Sequence, residues 1–216
     1  MVLARPEADH DRVEVAADVD ARVAVLLEGD SDVLAVRAVA EGRGIDLDGL
    51  GVLLVAMGGA TNVRRHVERF GPGGLGVPLA GLYDSAERRF FRRPLARLGP
   101  AADDRQPPGP VPDGLEALGF FGCEPDLEHE LIRALGTAGV LEVIAAEGEL
   151  ASLGRLQRQP AQRDRTTVEQ LHRFLGVRSG RKARYAWLLA RALAPEQVPR
   201  PLRGLVDHVL ATASGR

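Results

Sequence analysis

Short apolar runs alternate with amphipathic stretches through the first half of the chain. Such runs, each followed by helical spacing, are typical of strands buried on both faces of a parallel sheet. The predicted strands are Val23–Leu27, Val52–Ala56 and Val77–Tyr83, and the predicted helices are 33–40, 63–70 and 88–98. Asp30 or Ser31 is expected to cap the first helix. This order predicts βαβ units and an α/β fold with a central parallel sheet.

The second half of the sequence has mainly helical periodicity. Residues 99–114, rich in proline, aspartate and glycine, are predicted to form a loop, and 120–123 a short strand. Helices are predicted over 126–135, 140–146, 149–157, 167–175, 181–193 and 202–212. The chain is therefore expected to comprise a lead-in (1–20), an α/β core (21–123) and a helical extension packed on that core (124–216).

Acidic residues follow the first and third apolar runs. Glu28, Asp30 and Asp32 follow the first run, and Asp84 and Glu87 follow the third. Because ligands of open α/β sheets bind at the carboxyl ends of the strands, we expect these acids to converge there. Convergent carboxylates suit Mg²⁺ or Mn²⁺. The alternative is that Asp30 and Asp32 only favour the helix start and that Glu28 is solvated.

Composition narrows the class of protein. An apolar content of 45% in 216 residues supports a packed core. The single cysteine, Cys123, excludes a disulfide framework and a cysteine-rich zinc site, and is expected to be a buried thiol. The five histidines show no spacing typical of zinc. No apolar run reaches the roughly 20 residues that cross a bilayer, so a cytoplasmic protein without a membrane partner is expected.

Charge is distributed unevenly along the chain. Residues 155–216 carry 13 arginines or lysines against four acids, whereas residues 1–154 carry 15 against 26. An acidic half beside a basic half suits a metal-dependent enzyme that acts on a polyanion. The alternatives are an inert surface and a protein interface. Of the 28 basic residues only Lys182 is a lysine, which marks it as a candidate for a role that arginine cannot fill.

Together these motifs resemble the TOPRIM domain of topoisomerases, primases and OLD-family nucleases. The resemblance rests on the following residues: Glu28-Gly29-Asp30-Ser31-Asp32, Gly58-Gly59 leading into Thr61-Asn62, Asp84, and the late Lys182. The pattern looks most like the nuclease domain of OLD-family endonucleases and covers about residues 20–98 well. It implies a Rossmann-like TOPRIM fold and metal-dependent cleavage of phosphodiester bonds, in DNA more than in RNA.

The resemblance also implies which acids bind metal. Glu28 and Asp32 match the first metal ligands of the family, and Asp84 matches the first acid of its Asp-x-Asp pair. The second acid of that pair is replaced by Ala86, and Glu87 is expected to substitute for it. Glu28 and Asp32 would hold one ion and Asp84, with Glu87 or a tail acid, a second. Glu28 is equally a candidate for the general base.

The helical tail is expected to complete the site. The resemblance implies an acid there, Asp126 or Glu128, and Lys182 matches the late lysine that would stabilise charge on the phosphate. Asp30 is a further candidate acid. The arginines expected to contact nucleic acid are Arg88, Arg89, Arg92, Arg181 and Arg184.

Three alternatives stay open at this point. A degenerate TOPRIM module that only binds nucleic acid or a protein partner is supported by Ala86, and a nucleotidyl transferase would use the same metal site. A receiver-like or flavodoxin-like domain is disfavoured by the basic helical tail.

Full OLD-family proteins also carry an ABC-type ATPase, but this sequence has no G-x-x-x-x-G-K-[ST] motif. An ATPase is therefore expected only as a separate partner, and a homodimer stays open.

Overall fold

A four-stranded parallel sheet forms the centre of the molecule. The computed structural model describes residues 21–98, 114–176 and 180–215. The strands are β1 (Val23–Leu27), β2 (Val52–Ala56), β3 (Leu79–Asp84) and β4 (Phe120–Cys123). Their order is β2-β1-β3-β4, and every neighbouring pair is parallel. The predicted parallel α/β fold is therefore confirmed. The predicted lead-in 1–20 and most of the predicted loop, 99–113, lie outside the described residues.

Eight α-helices accompany the sheet in the described part of the chain. They are α1 (Asp30–Gly42), α2 (Val63–Phe70), α3 (Arg88–Leu95), α4 (Leu127–Ala146), α5 (Leu150–Gln157), α6 (Thr167–Gly176), α7 (Arg181–Ala192) and α8 (Arg200–Ala213). Gly136, with φ of 73°, interrupts α4. That kink explains why the sequence pattern predicts two helices there. No helix among the described residues is long and apolar enough to cross a membrane.

Strand β1 is buried on both faces, as its unbroken apolar sequence predicts. Val23, Val25 and Leu27 face an apolar cluster that includes residues of α1, α4, α7 and α8. Ala24 and Leu26 face a second cluster, built with α2 and α3. The sheet is thus covered on both sides, and its carboxyl edge is left for polar loops.

Helix α1 begins earlier than the sequence predicts. Its N-cap is Gly29, so neither Asp30 nor Ser31 caps it. The Asp32 carboxylate, three residues after the cap, accepts a hydrogen bond from the Gly29 amide at 2.9 Å. This backward bond replaces the side-chain cap. It also fixes Asp32 on the first helical turn beside the end of β1.

Helix α7 packs along α1, and this is the most extensive contact between two elements of the described structure. Small buried side chains, among them Ala35 of α1 and Ala186 and Ala190 of α7, belong to the same apolar cluster. Such residues allow two helices to approach closely. The α/β core and the helical tail therefore share one hydrophobic core, and α7 begins close to the carboxyl edge of the sheet.

Candidate functional site

A cavity of about 440 Å³ lies at the carboxyl edge of the sheet. Its walls come from the loops after β1, β2 and β3 and from the start of α7. The lining residues are Glu28, Gly29, Asp30, Ser31, Asp32, Gly58, Gly59, Asp84, Gly180, Lys182 and Ala183. The predicted convergence of strand-end acids is therefore what the fold produces, because three parallel strands end at this edge.

The first wall carries Glu28 and Asp32. Glu28 follows the last residue of β1, and Asp32 is 8% exposed on α1. Burial, together with the nearby charge of Glu128, raises the pKa of Asp32 to about 6, against the hydrogen bond from Gly29. Asp32 therefore holds a negative charge only at a cost, which is the usual signature of a site built around a cation.

Glu28 also shares a hydrogen bond with Glu87, which lies on the 3₁₀ turn after β3. Burial, this bond and the charges of Glu87 and Asp32 raise the pKa of Glu28 to about 7. A bond between two carboxyl groups requires that one of them be protonated. Ala86, by contrast, is exposed. Glu87, and not the preceding position, thus brings the fourth acid to the cluster.

Asp84 closes the second wall at the end of β3. Burial raises its pKa to about 8, with further contributions from Asp32 and Glu28. The next residue, Ser85, donates its amide to the Pro125 carbonyl at 3.1 Å. This bond holds the start of the helical tail beside the end of β3, and so brings the first turn of α4 to the acids.

The tail contributes a charged pair to the site. Lys182, in the first turn of α7, places its Nζ 3.3 Å from Oε2 of Glu128 in α4. Burial opposes protonation of Lys182, but the charges of Glu128, Asp32 and Asp84 outweigh it and raise its pKa. The lysine is thus cationic, faces the cavity and is surrounded by acids of both halves of the chain.

Backbone conformation explains the glycine pair after β2. Gly58 and Gly59 both have positive φ, 71° and 116°, which disfavours any residue with a side chain. The Gly59 amide donates to the Glu28 carbonyl at 2.9 Å. The pair thus turns the chain tightly beside the first wall. Thr61 lies in the following 3₁₀ turn and does not cap α2, whose N-cap is Asn62.

The donor set fits a divalent cation. Oε1 of Glu128 and Oε2 of Glu87 are buried and have no hydrogen-bond partner among the described residues. Buried carboxylate oxygens without a donor are costly unless a cation or water satisfies them. Oxygen-only ligands with several acids are the set that Mg²⁺ and Mn²⁺ prefer. The residues present would therefore satisfy one or two such ions.

Two of the predicted nucleic-acid contacts have other partners. Arg181 is buried, stacks on Phe174 with 4.1 Å from its Cζ to the ring centroid, and pairs with Glu149. Its guanidinium is therefore engaged inside the protein, which disfavours the predicted phosphate contact. Arg184 is partly exposed, but it pairs with Glu147 and Glu149. The two arginines near Lys182 thus hold the start of α7 against Glu147 and Glu149.

The other three predicted arginines lie on α3. Arg89 and Arg92 are exposed, and Arg88 is half-buried. Helix α3 packs on the face of the sheet opposite α7, through Phe91 and Leu95. These arginines therefore follow Glu87 in the chain, lie on the other face of the sheet from α7, and do not line the cavity.

One cluster is not apparent from the sequence. Both oxygens of Asp126 are hydrogen-bonded to histidine rings, one to Nδ1 of His129 at 2.8 Å and the other to Nε2 of His172 at 3.0 Å. Burial acts to raise the pKa of Asp126, but these hydrogen bonds outweigh it and hold the pKa well below its usual range. The Asp126 carboxylate is thus engaged by the two histidines. Glu128 is the tail acid that pairs with Lys182. Only the packing of α4 on α6 joins the two histidines.

The α/β core of the chain is similar to a known protein family. The family model "Overcoming lysogenization defect protein-like, TOPRIM domain" matches residues 21–85. A comparison with curated protein sequences found no match.

Similar solved structures are C-terminal regions of OLD proteins. Two structures of that region from Xanthomonas campestris pv. campestris, phased with mercury and with platinum, are 29% and 30% identical to this chain. Their TM-scores are 0.64 and 0.62. Each structure covers 90% of this chain, and this chain covers 97% and 94% of the two structures, respectively. The corresponding region from Burkholderia pseudomallei is 26% identical, with a TM-score of 0.62 and coverage of 89% and 98%.

The resemblance thus extends well beyond the strand-end acids, because it includes the helical tail that brings Lys182 and Glu128 to the cavity. Identity of 30% over nine-tenths of the chain establishes the relationship. The chain belongs to the OLD family, and its residues 21–85 form an OLD-like TOPRIM domain.

Proposed function

We propose that this protein is a Mg²⁺- or Mn²⁺-dependent nuclease that hydrolyses phosphodiester bonds in nucleic acid. One observation carries the proposal: acids from two strand ends and an acid–lysine pair from the tail surround a single cavity. The TOPRIM domain is a nuclease-type module in OLD proteins, and TOPRIM domains generally bind divalent metals. The cavity has the charges that such a reaction requires.

The proposed metal ligands divide into two groups. Glu28 and Asp32 would hold one ion, and Asp84 with Glu87 or Glu128 would hold a second. Bound ions of this kind stabilise the attacking and leaving oxygens of an in-line displacement and acidify water. Burial and the neighbouring acids, which together raise the pKa of Asp84 to about 8 without metal, give this cation preference its electrostatic basis.

Glu28 is the proposed proton acceptor. Without metal, burial and the neighbouring acids raise the pKa of Glu28 to about 7, and its carboxylate lies in the cavity where a proton acceptor for the attacking water is needed. Its hydrogen bond to Glu87 orients the carboxyl group within the cavity. A water beside the scissile phosphate would transfer its proton to Glu28 as the new phosphorus–oxygen bond forms. The phosphorus–oxygen bond to the leaving sugar oxygen would break in the same displacement, and that oxygen would take a proton from solvent.

Lys182 is the proposed phosphate contact. It is cationic, 49% exposed and held at the rim by Glu128. A fixed cation stabilises the charge that develops on the phosphoryl oxygens, and it costs no reorganisation during the reaction. The exposed Arg89 and Arg92 on α3 would guide the polyanion from the opposite side. DNA is the proposed substrate, ahead of RNA.

A cleavage assay with purified protein tests the proposal. Supercoiled plasmid, labelled single-stranded DNA and labelled RNA are incubated with EDTA, Mg²⁺ or Mn²⁺. The wild type is compared with Glu28→Gln, with Asp84→Asn and with the exposed control Glu142→Gln on α4. We expect metal-dependent cleavage by the wild type and the control, and none by the two site variants. Circular dichroism verifies that the variants are folded.

Other outcomes would identify the alternatives. Salt-sensitive binding that needs no metal, with no cleavage in any metal, would indicate a degenerate binding module and would overturn the nuclease proposal. Incorporation of labelled nucleotide into a primer or oligonucleotide under the same conditions would indicate nucleotidyl transfer at this metal site. Full activity in Glu28→Gln would exclude the assignment of that residue.

A further inference from the structure

Two histidines and an aspartate meet outside the proposed nuclease site. The ligand atoms of Asp126, His129 and His172 all lie within 4.8 Å of one another. The centroids of the two imidazole rings lie 4.1 Å apart, with the rings tilted by 31°, and the Asp126 carboxylate bridges their nitrogens. Asp126 caps α4, His129 lies in its first turn, and His172 comes from α6. The cluster therefore joins two helices of the tail.

This donor set differs in kind from that of the cavity. Imidazole nitrogens favour borderline transition metals such as Zn²⁺, whereas the oxygen-only cavity favours Mg²⁺ or Mn²⁺. Two histidines with one carboxylate are also the protein ligands of known zinc sites that keep a fourth position for water. The side chains of the cluster are between 22% and 36% exposed, which leaves such a position accessible.

The observed distances are close to those that zinc requires. A tetrahedral Zn²⁺ with bonds of about 2.0 to 2.1 Å separates its ligand atoms by roughly 3.4 Å. The Asp126 oxygens lie 2.8 and 3.0 Å from the two ring nitrogens. One ligand atom from each residue lies within 4.8 Å of the other two, so adjustment of these side chains would exchange the two hydrogen bonds for metal bonds.

We propose that Asp126, His129 and His172 form a Zn²⁺ site that fastens the first turn of α4 to α6. The site is separate from the cavity, because none of its three residues lines that cavity. It adjoins Glu128, which follows Asp126 in the same turn and faces Lys182. Bound zinc would therefore stabilise the tail and hold Glu128 in place. This inference goes beyond the proposed nuclease function and does not depend on it.

Metal binding without any activity measurement tests the proposal. The protein is stripped with EDTA, dialysed against Zn²⁺ in the presence of excess Mg²⁺, and its zinc content is measured together with its thermal unfolding. Co²⁺ serves as a spectroscopic probe, because its visible bands report tetrahedral nitrogen and oxygen ligation. We expect one equivalent of Zn²⁺ that Mg²⁺ does not displace, a higher Tm with zinc, and tetrahedral Co²⁺ bands.

Isosteric variants separate metal binding from hydrogen bonding. His129→Asn places an amide nitrogen where Nδ1 lies, and His172→Gln does so for Nε2, so each can still donate to Asp126 but cannot ligate zinc as imidazole does. We expect each to weaken Zn²⁺ binding by about 100-fold or more, since loss of an outer-sphere partner alone costs 10- to 100-fold. His208→Ala, outside the cluster, is the matched control and should bind zinc normally.

Glu28→Gln provides the second control, because it alters the nuclease site and leaves the cluster intact. It should retain zinc and the zinc-dependent rise in Tm. Two results would overturn the proposal: no zinc retained by the wild type in excess Mg²⁺, or equal zinc retention by the wild type and the two isosteric variants. In either case the three residues act only as a hydrogen-bonded link between α4 and α6.

Discussion

Lys182 Nζ lies 3.3 Å from Glu128 Oε2, across the junction of α7 and α4. The glutamate is 7% exposed and the lysine 49%, so the pair presents its cation to the cavity and buries its anion. A buried acid thereby fixes the direction of an exposed lysine. This relationship gives the single lysine of the chain a position that sequence spacing could not specify.

Substitution of Lys182 should separate catalysis from metal binding. We expect Lys182→Ala to lower kcat for cleavage by roughly 10²- to 10³-fold, the usual loss when one preorganised stabilising group is removed. Lys182→Arg should rescue poorly, because the guanidinium differs in shape and hydration. The affinity for Mg²⁺ should rise in Lys182→Ala, since a cation beside the ligands is removed.

Single-turnover cleavage and Mg²⁺ titration measure these two quantities. Arg155→Ala, an exposed substitution on α5, is the matched control and should leave both unchanged. An unchanged kcat in Lys182→Ala would contradict the proposed role. A kcat loss accompanied by weaker Mg²⁺ binding would assign the lysine to the structure of the site instead.

Variants at positions 86 and 87 test whether Glu87 replaces the acid that is missing at Ala86. Glu87→Gln should weaken Mg²⁺ binding and lower the pKa of Glu28, because both the shared hydrogen bond and the adjacent charge are altered. The pH at which cleavage is half-maximal should therefore move downward. Ala86→Asp alone should have little effect, since position 86 is exposed.

The measurement is a pH–rate profile for the wild type and both variants. Activity in Glu87→Gln equal to that of the wild type would show that the fourth acid is dispensable. A gain of activity in Ala86→Asp would instead show that the residue at position 86 reaches the metals.

Without metal, the protein should lose stability as pH rises. Folding raises the pKa values of Asp32, Glu28 and Asp84 to about 6, 7 and 8, mainly through burial, from about 4 in the unfolded chain. The folded state therefore binds more protons between about pH 4 and pH 8. The stability that these protons provide is complete below pH 4 and is lost as pH rises to about 8.

Thermal unfolding in EDTA at about pH 5.5 and about pH 8.5 measures this dependence. We expect a lower Tm at the higher pH and a smaller difference in Asp84→Asn. Mg²⁺ at 100 times its Kd should restore roughly 2.7 kcal/mol at the higher pH. A Tm that rises with pH in EDTA would contradict the assigned crowding of acids.

Arg181 should matter for stability and not for substrate binding. Its side chain is 6% exposed and pairs with Glu149, which Arg181→Ala would leave without this partner. Because Glu149 keeps Arg184 as a partner, the loss of this charge-assisted hydrogen bond should cost roughly 1.5 to 3 kcal/mol, whereas exposed Arg155→Ala should stay within about 0.5 kcal/mol. Urea denaturation compares the two. Equal midpoints would contradict the structural role.

Sequence patterns located the elements well where apolar runs were unambiguous. The bounds of β1, β2, β4 and α2 agree with the structure, because a glycine or an acid follows each of them within two residues. The start of α1 was missed, since Gly29 supplies the cap through its backbone and the Asp32 carboxylate bonds backward to it. Local sequence does not distinguish that arrangement from a side-chain cap.

The site was predictable only to the extent that strand ends define it. Glu28, Asp32 and Asp84 follow from the rule that parallel strands end at one edge. The burial of Arg181 could not be predicted from the sequence, because its neighbours in the chain are arginine, serine and glycine, which are typical of a surface. The link of His129 to His172 through Asp126 depends on how α4 packs on α6. Such contacts between distant segments leave no periodic signal.

The close contact between α1 and α7 also affects the width of the cavity. Asp32 belongs to α1 and Lys182 to α7, so the width of the cleft between acid and lysine is set by how closely these helices approach. Small side chains such as Ala35, Ala186 and Ala190 keep that approach tight. Bulkier residues there would widen the cleft without touching a single charged group. The width of the cleft that a nucleic acid would have to enter is thus governed by buried alanines.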